Sequence, residues 1–169
     1  WNTDQLRFAN LAFAQASAFN GDISTWNVSG VSDFSFMFHQ ASAFNGNLST
    51  WNTSSATNMQ YMFAVASVFN RDISGWDVGK VENMNSMLRA ATDFNQDLST
   101  WATDSVKNMA FMFLNASSFE SDLSAWNTSK VTTMTFMFTN ASAFNSNLMD
   151  WDVSSVTAMN SMLNNSGMS

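Results

Sequence analysis

The chain has 169 residues, 46% hydrophobic and 14% aromatic but only 11% charged, with 6 Lys and Arg against 13 Asp and Glu for a formal net charge of -7. So few, scattered cations cannot neutralise a row of phosphates, which excludes nucleic acid as an expected partner. With no Cys there is neither a disulfide framework nor a thiolate metal site, and no apolar run approaches the ~18 residues of a membrane span.

Trp returns at positions 1, 26, 51, 76, 101, 126 and 151, an unbroken period of 25 residues. A fixed period of this size is the signature of a solenoid, in which each repeat buries its apolar face against its neighbours. The expected organisation is one repeat domain, 1–169, with coils 1–25, 26–50, 51–75, 76–100, 101–125, 126–150 and a partial 151–169. The first coil is atypical: Ala9 and Ala12 stand where later coils carry larger residues, and Phe8 lies one residue off register. The last stops at Asn164–Ser169 without the Phe–Asn pair of the others. Neither end reads as a polar cap, so the chain is read as a mature or trimmed segment of a longer array.

Within a coil two spacings alternate. Trp26 and Val28 are two apart, with Asn27 and Ser29 facing the other way, which predicts a short strand. Val31, Phe34, Met37, Phe38, Ala41 and Phe44 then follow at three- and four-residue steps, which predicts a short helix. Ser29 is placed to cap it, and Asn45–Gly46 to reverse the chain. The expected fold is an α/β solenoid with one short parallel strand and one short helix per repeat, its strands stacked at about 4.8 Å. Trp, Met and Phe columns would fill its core. Thirteen Met residues could also make a soft binding surface, but most stand at core spacing.

The columns read W-[ND]-[VT]-S-x-V-x-x-M-x-x-M-F-x-x-A-x-x-F-N-x-[DN]-[LI]-S, best kept in Trp51–Ser74 and Trp76–Ser99. This pattern resembles the repeat of BspA-like bacterial surface proteins, a leucine-rich-repeat-related family, over essentially the whole chain. The resemblance implies a right-handed α/β solenoid, secretion or surface attachment, and a role in adhesion or protein binding. Ala102, Glu120 and Met149 depart from the pattern, which touches local turn geometry.

Catalysis has little to work with. His39 is the only histidine, in a column otherwise filled by Ala64, Arg89, Leu114 and Thr139, so no Ser–His–Asp arrangement, and no enzyme, is expected. Neither a phosphate loop nor a cofactor motif appears. Asp72, Asp97 and Asp122 fall on successive coils and could bridge Ca²⁺; the favoured reading is that they accept turn amides, since Asn47 and Asn147 in the same column would do so without charge. Asn27, Asn52, Asp77, Asn127 and Asp152 make a regular outward row beside Trp, read either as the solvent side of the sheet or as a binding face. Phe36, Tyr61, Phe111 and Phe136 would point about 150° away from a helix's buried stripe. They form an exposed assembly interface, or else the segment is not an ideal helix and the rings fold back between coils.

The expected function is a non-enzymatic extracellular or cell-surface scaffold, binding a protein or extracellular-matrix partner. The alternative is a structural subunit of a filament or surface layer, self-associating through uncapped ends and the aromatic column. Ice or a polymer lattice ranks third. Asn-x-Ser sequons such as Asn27 and Asn115 come with the repeat and matter only in a eukaryotic secretory host.

Overall fold

A computed structural model describes residues 1–168. Coils of 25 residues stack in register along a column of parallel bridges that runs Phe8, Asp33, Asn58, Asn83, Asn108, Thr133, Ala158. Like rings lie over like: Trp51 and Trp76 are 6.3 Å apart between centroids, Phe44 and Phe69 6.0 Å, Phe69 and Phe94 5.9 Å, Phe113 and Phe138 5.4 Å. Five coils also cross-pack their own two phenylalanines, as Phe63 on Phe69 at 4.0 Å, while Leu88 takes the inner place in the fourth. The resulting core is continuous from coil to coil and almost completely buried in the middle of the stack.

Among the described residues no helix occurs, and strand pairing is limited to that single bridge per coil. The expected α/β solenoid, a strand and a helix in every repeat, is therefore wrong, and its leucine-rich-repeat description falls with it. The bridge does not lie at Trp26–Val28 either, but seven residues on from the Trp, at Asp33.

What replaces the helix is a succession of β-turns. In the second coil Val31 N–H donates to Val28 O at 2.8 Å, Met37 to Phe34 at 3.1 Å, His39 to Phe36 at 3.1 Å, Ala41 to Phe38 at 3.0 Å and Phe44 to Ala41 at 3.0 Å. Each closure spans three residues, where an α-helix would span four. The amides between them leave the coil: Phe34, Phe36, Phe38 and Gln40 donate to the carbonyls of Asn58, Gln60, Met62 and Ala64 in the next coil, at 2.8–2.9 Å. Apolar residues at three-residue steps thus mark successive turn closures, and they imitate a helical stripe in the sequence. Ser29 caps nothing; its own N–H and hydroxyl donate to Asn27 Oδ1. Nor does Asn45–Gly46 reverse the chain. That bend lies at Ser49–Thr50, closed by Trp51 N–H on Leu48 O at 3.1 Å.

Two non-glycine residues in every coil sit at positive φ, for example Phe36 (58°) and Gln40 (59°), or Tyr61 (56°) and Val65 (63°). They occupy the third position of their turns, where a type II turn requires positive φ and normally takes Gly or Asn. Asn115, Asn140 and Asn165 fit this need, and their amides also bond coil to coil. Val65 is the poorest fit, being β-branched and partly exposed. Val65→Gly is therefore expected to stabilise the chain by about 1 kcal/mol, the relief of backbone strain exceeding the added chain entropy. A urea denaturation midpoint measures it; a lower midpoint, as Gly would give in a helix, contradicts the turn geometry.

The abundant Ser, Thr and Asn do more than solvate the surface. Thr53, Thr103 and Thr128, all buried, donate through Oγ1 to Asp77, Asn127 and Asp152 carbonyls of the next coil at 2.9 Å. Ser55, Ser105 and Ser155 reach back to the carbonyls of Ser29, Gly79 and Ser129. Asn20, Asn45, Asn70 and Asn95 each accept the backbone N–H one coil further on, at 2.9–3.1 Å. The indole N–H groups of Trp51, Trp76, Trp101, Trp126 and Trp151 each reach back 28 residues, as Trp51 to Ile23 O at 3.2 Å. Side chains supply the coil-to-coil hydrogen bonds that longer strands would otherwise provide, which buried backbone groups require.

Candidate functional site

The outward row beside Trp is built on caps. Asn27, Asn52, Asp77, Asn127 and Asp152 are exposed, and each accepts through Oδ1 the N–H two residues on, at 2.9–3.2 Å. This is the Asx-turn, which fixes the side chain against the backbone. The Nδ2 groups of Asn27 and Asn127 also donate to Asp4 Oδ1 and Asp104 Oδ1 of the preceding coil. Asn27 and Asn127 are thus held at both edges of the amide, whereas Asn52, Asp77 and Asp152 are held through Oδ1 alone. Ala102 leaves the row incomplete in the fifth coil.

The aromatic column is half-buried rather than freely exposed. Phe36 stacks on Tyr61 at 4.6 Å and Phe111 on Phe136 at 5.4 Å, while His39 sits edge-on to the first pair. Positive φ at these residues explains their direction, which helical geometry could not. Ser86, wholly buried, divides the column into two pairs, and its hydroxyl has no protein partner. His39 Nδ1 lies 3.1 Å from Ala64 O, a hydrogen bond that ties the ring to the backbone of the next coil.

Asp72, Asp97 and Asp122 are exposed on successive coils, and one oxygen of each is already engaged. Oδ1 of each accepts the N–H of Ser74, Ser99 or Ser124 at 2.9 Å. The Ser74 hydroxyl adds 2.7 Å to Asp72, and Ser146 adds 2.9 Å to Asp122. Among the described residues no group of three or more His, Cys, Asp or Glu is placed to hold a metal ion. If Ca²⁺ bound here, a chelator would lower the melting temperature; we expect no shift.

These same hydrogen bonds hold the carboxyls below their ordinary range. For Asp97 and Asp122 the largest cause is the serine backbone N–H, for Asp72 the serine hydroxyl, and Asp22 and Asp152 follow the same pattern. A group with a depressed folded pKa takes up protons first in the unfolded chain, so stability is complete above the unfolded value of about 4 and is lost as pH falls below it. We expect melting temperature to be flat near neutrality and to drop in acid, and the triple variant Asp72→Asn, Asp97→Asn, Asp122→Asn to blunt the drop. Melting curves across a pH series check both.

Apolar side chains are exposed at the two outer coils. Trp1 and Phe8 are 100% and 67% exposed, beside a depression of about 420 Å³ that Leu6 and Ala12 also line. At the other end Met159 and Leu163 are 41% and 39% exposed, although the same columns are wholly buried in the middle coils as Met84 and Phe113. The sequence hinted at this only through its lack of polar end coils. The positive-φ positions and the asparagine ladder had no signal legible one coil at a time.

The profile of a family described as "Mycoplasma protein of unknown function, DUF285" matches residues 1–91 and again residues 69–168. The chain belongs to this family. Together the two overlapping matches take in every described coil. Comparison with curated proteins and with solved structures gives no match. No helix among the described residues is long and apolar enough to cross a membrane.

Proposed function

We propose that this chain is a non-enzymatic scaffold of the extracellular or cell-surface space, binding a protein or extracellular-matrix partner. The observation that carries the reading is the row Asn27, Asn52, Asp77, Asn127, Asp152, exposed and held at one repeat per coil by its own caps. Rigid, pre-ordered polar groups lose little entropy on binding, which favours recognition over a long surface. The resemblance of the repeat to BspA-like surface proteins supports the same reading, including the location. So does the character of the groups: neutral amides and capped carboxylates suit hydrogen bonding to another backbone better than they suit acid–base chemistry.

The test uses a substitution that keeps the cap. Asp77 and Asp152 already cap as well as the asparagines do, and Asn52 engages the chain through Oδ1 alone, so Asn52→Asp should fold normally while removing an outward amide donor. Biolayer interferometry against immobilised matrix proteins is expected to show saturable binding, weakened roughly tenfold in the variant. Absence of binding to every matrix protein, or binding indifferent to the substitution, would sink the proposal.

A further inference from the structure

From the second coil to the sixth, the aromatic column is one ring short. Phe36, Tyr61, Phe111 and Phe136 hold it in the second, third, fifth and sixth coils, and Ser86 in the fourth. One coil apart, Phe36 and Tyr61 stack at 4.6 Å and Phe111 and Phe136 at 5.4 Å. Tyr61 and Phe111 are two coils apart, about 10 Å at the rise of a parallel bridge. A ring midway between them would lie about 5 Å from each, inside the range of offset stacking. Ser86 shares the backbone of the ring-bearing positions, with φ of 55° against 58°, 56°, 60° and 54°. The fourth coil therefore departs from the column in its side chain alone. The hydroxyl is a second, independent observation. Ser86 is wholly buried, and among the described residues its Oγ is the one buried side-chain oxygen or nitrogen without a hydrogen-bond partner. Its backbone is satisfied, since the N–H donates to Ala110 O at 2.9 Å and the carbonyl accepts from Arg89 N–H at 3.2 Å. Other buried hydroxyls are used: Thr53, Thr103 and Thr128 on carbonyls of the next coil, Thr139 on Ser161 O and Ser146 on Asp122. A buried hydroxyl left unpaired costs stability that Ala or Phe at the same position would not.

We infer that the fourth coil receives a tyrosine side chain of a partner protein, inserted between Tyr61 and Phe111 with its hydroxyl on Ser86 Oγ. A side chain entering from outside leads with the edge opposite its Cβ. In tyrosine that edge is the phenol O–H, which both donates and accepts and so supplies what Ser86 lacks. Phenylalanine and tryptophan lead with carbon and would leave the hydroxyl unpaired. The two flanking rings offer faces already set by stacking on Phe36 and Phe136, so little order is lost in gripping a third. Because Ser86 is covered, neighbouring side chains close over it when no ring is inserted. Tyr61 and Phe111 are themselves only half-buried, and surface side chains reorient within nanoseconds, which lets the place open.

None of these residues belongs to the outward polar row, so the two readings stand or fall separately. The probes are p-cresol, which is the tyrosine side chain cut at Cβ, and toluene, its phenylalanine counterpart. Each is titrated into the full chain and followed by NMR at the amides of Tyr61, Ser86 and Phe111. p-Cresol is expected to bind saturably at one site, and more tightly than toluene. Ser86→Ala should weaken p-cresol about fivefold, the worth of one hydrogen bond, and leave toluene unchanged. Ser86→Phe supplies the ring that four other coils carry at the same φ, so it should abolish binding of both probes and raise the melting temperature. A short peptide with one tyrosine among glycines should shift the same amides as p-cresol. No shift with p-cresol up to its solubility limit overturns the inference, as does binding that survives Ser86→Phe. A lower melting temperature for Ser86→Phe overturns it too, because the fourth coil would then have no room for a ring. Equal affinity for the two probes, indifferent to Ser86→Ala, removes the hydroxyl's role and with it the choice of tyrosine. Binding of p-cresol without the peptide overturns the protein partner in favour of a free phenol.

Discussion

Phe69→Ala is expected to destabilise the chain by about 3–5 kcal/mol, the cost of emptying a large aromatic site that cannot collapse. Phe69 is fully buried, 4.0 Å from Phe63 in its own coil and 6.0 and 5.9 Å from Phe44 and Phe94 in the coils on either side. Its loss removes contacts in three coils at once. For a chain of this size that corresponds to a fall in melting temperature of about 10 °C or more. Phe19, in the first coil, has Phe44 on one side only and is not fully buried. Phe19→Ala should accordingly cost much less. Urea denaturation of the two variants tests the comparison, and equal losses would mean that the ladder does not act as a ladder.

Removing residues 76–100 should leave a folded chain, whereas removing residues 76–87 should abolish folding. The first deletion joins Gly75 to Trp101, which is the junction that Gly75 makes with Trp76 in the intact chain. Phe69 would then stack on Phe119, and Met59 N–H would meet Asn108 O. Stability in such arrays is close to a sum over neighbouring repeats, so the loss is about one coil's share. The shorter deletion puts each later residue beneath the wrong column. Every bridge runs between residues 25 apart in sequence, as Asn58 to Asn83, and the buried Trp, Met and Phe columns have no alternative register. Circular dichroism and melting curves distinguish the outcomes; equal tolerance of both deletions would mean that register carries little of the stability.

The comparison of sequence with structure turns on Phe34, Met37, Ala41 and Phe44. Their three- and four-residue steps resemble one face of a helix, and nothing in one coil alone contradicts that. The distinction between a turn closed over three residues and a helix closed over four lies in where the intervening amides go. In this chain Phe36 and Phe38 N–H find carbonyls in the next coil, a choice that exists only once coils are stacked. The aromatic column shows the same limit. Phe36 and Tyr61 look misplaced on a helix, and the alternative that the segment is not helical was visible, but positive φ at those residues could not be read from their side chains.

The turn acids were more legible. Asn47 and Asn147 in the column of Asp72, Asp97 and Asp122 pointed to a cap, because an amide oxygen accepts an N–H as well as a carboxylate does. The structure has the Asx geometry at all of them.

By itself the sequence determined that like residues stack: a 25-residue period kept without a gap leaves identical apolar side chains only one way to be buried together. It also determined which columns form the core. Tertiary structure decided the local conformation, since a stacked neighbour offers each alternate amide an acceptor that an isolated segment lacks. With that partner available, a chain of turns satisfies its backbone as fully as a helix would, and the positive-φ cost at two residues per coil is offset by hydrogen bonds and ring stacking between coils.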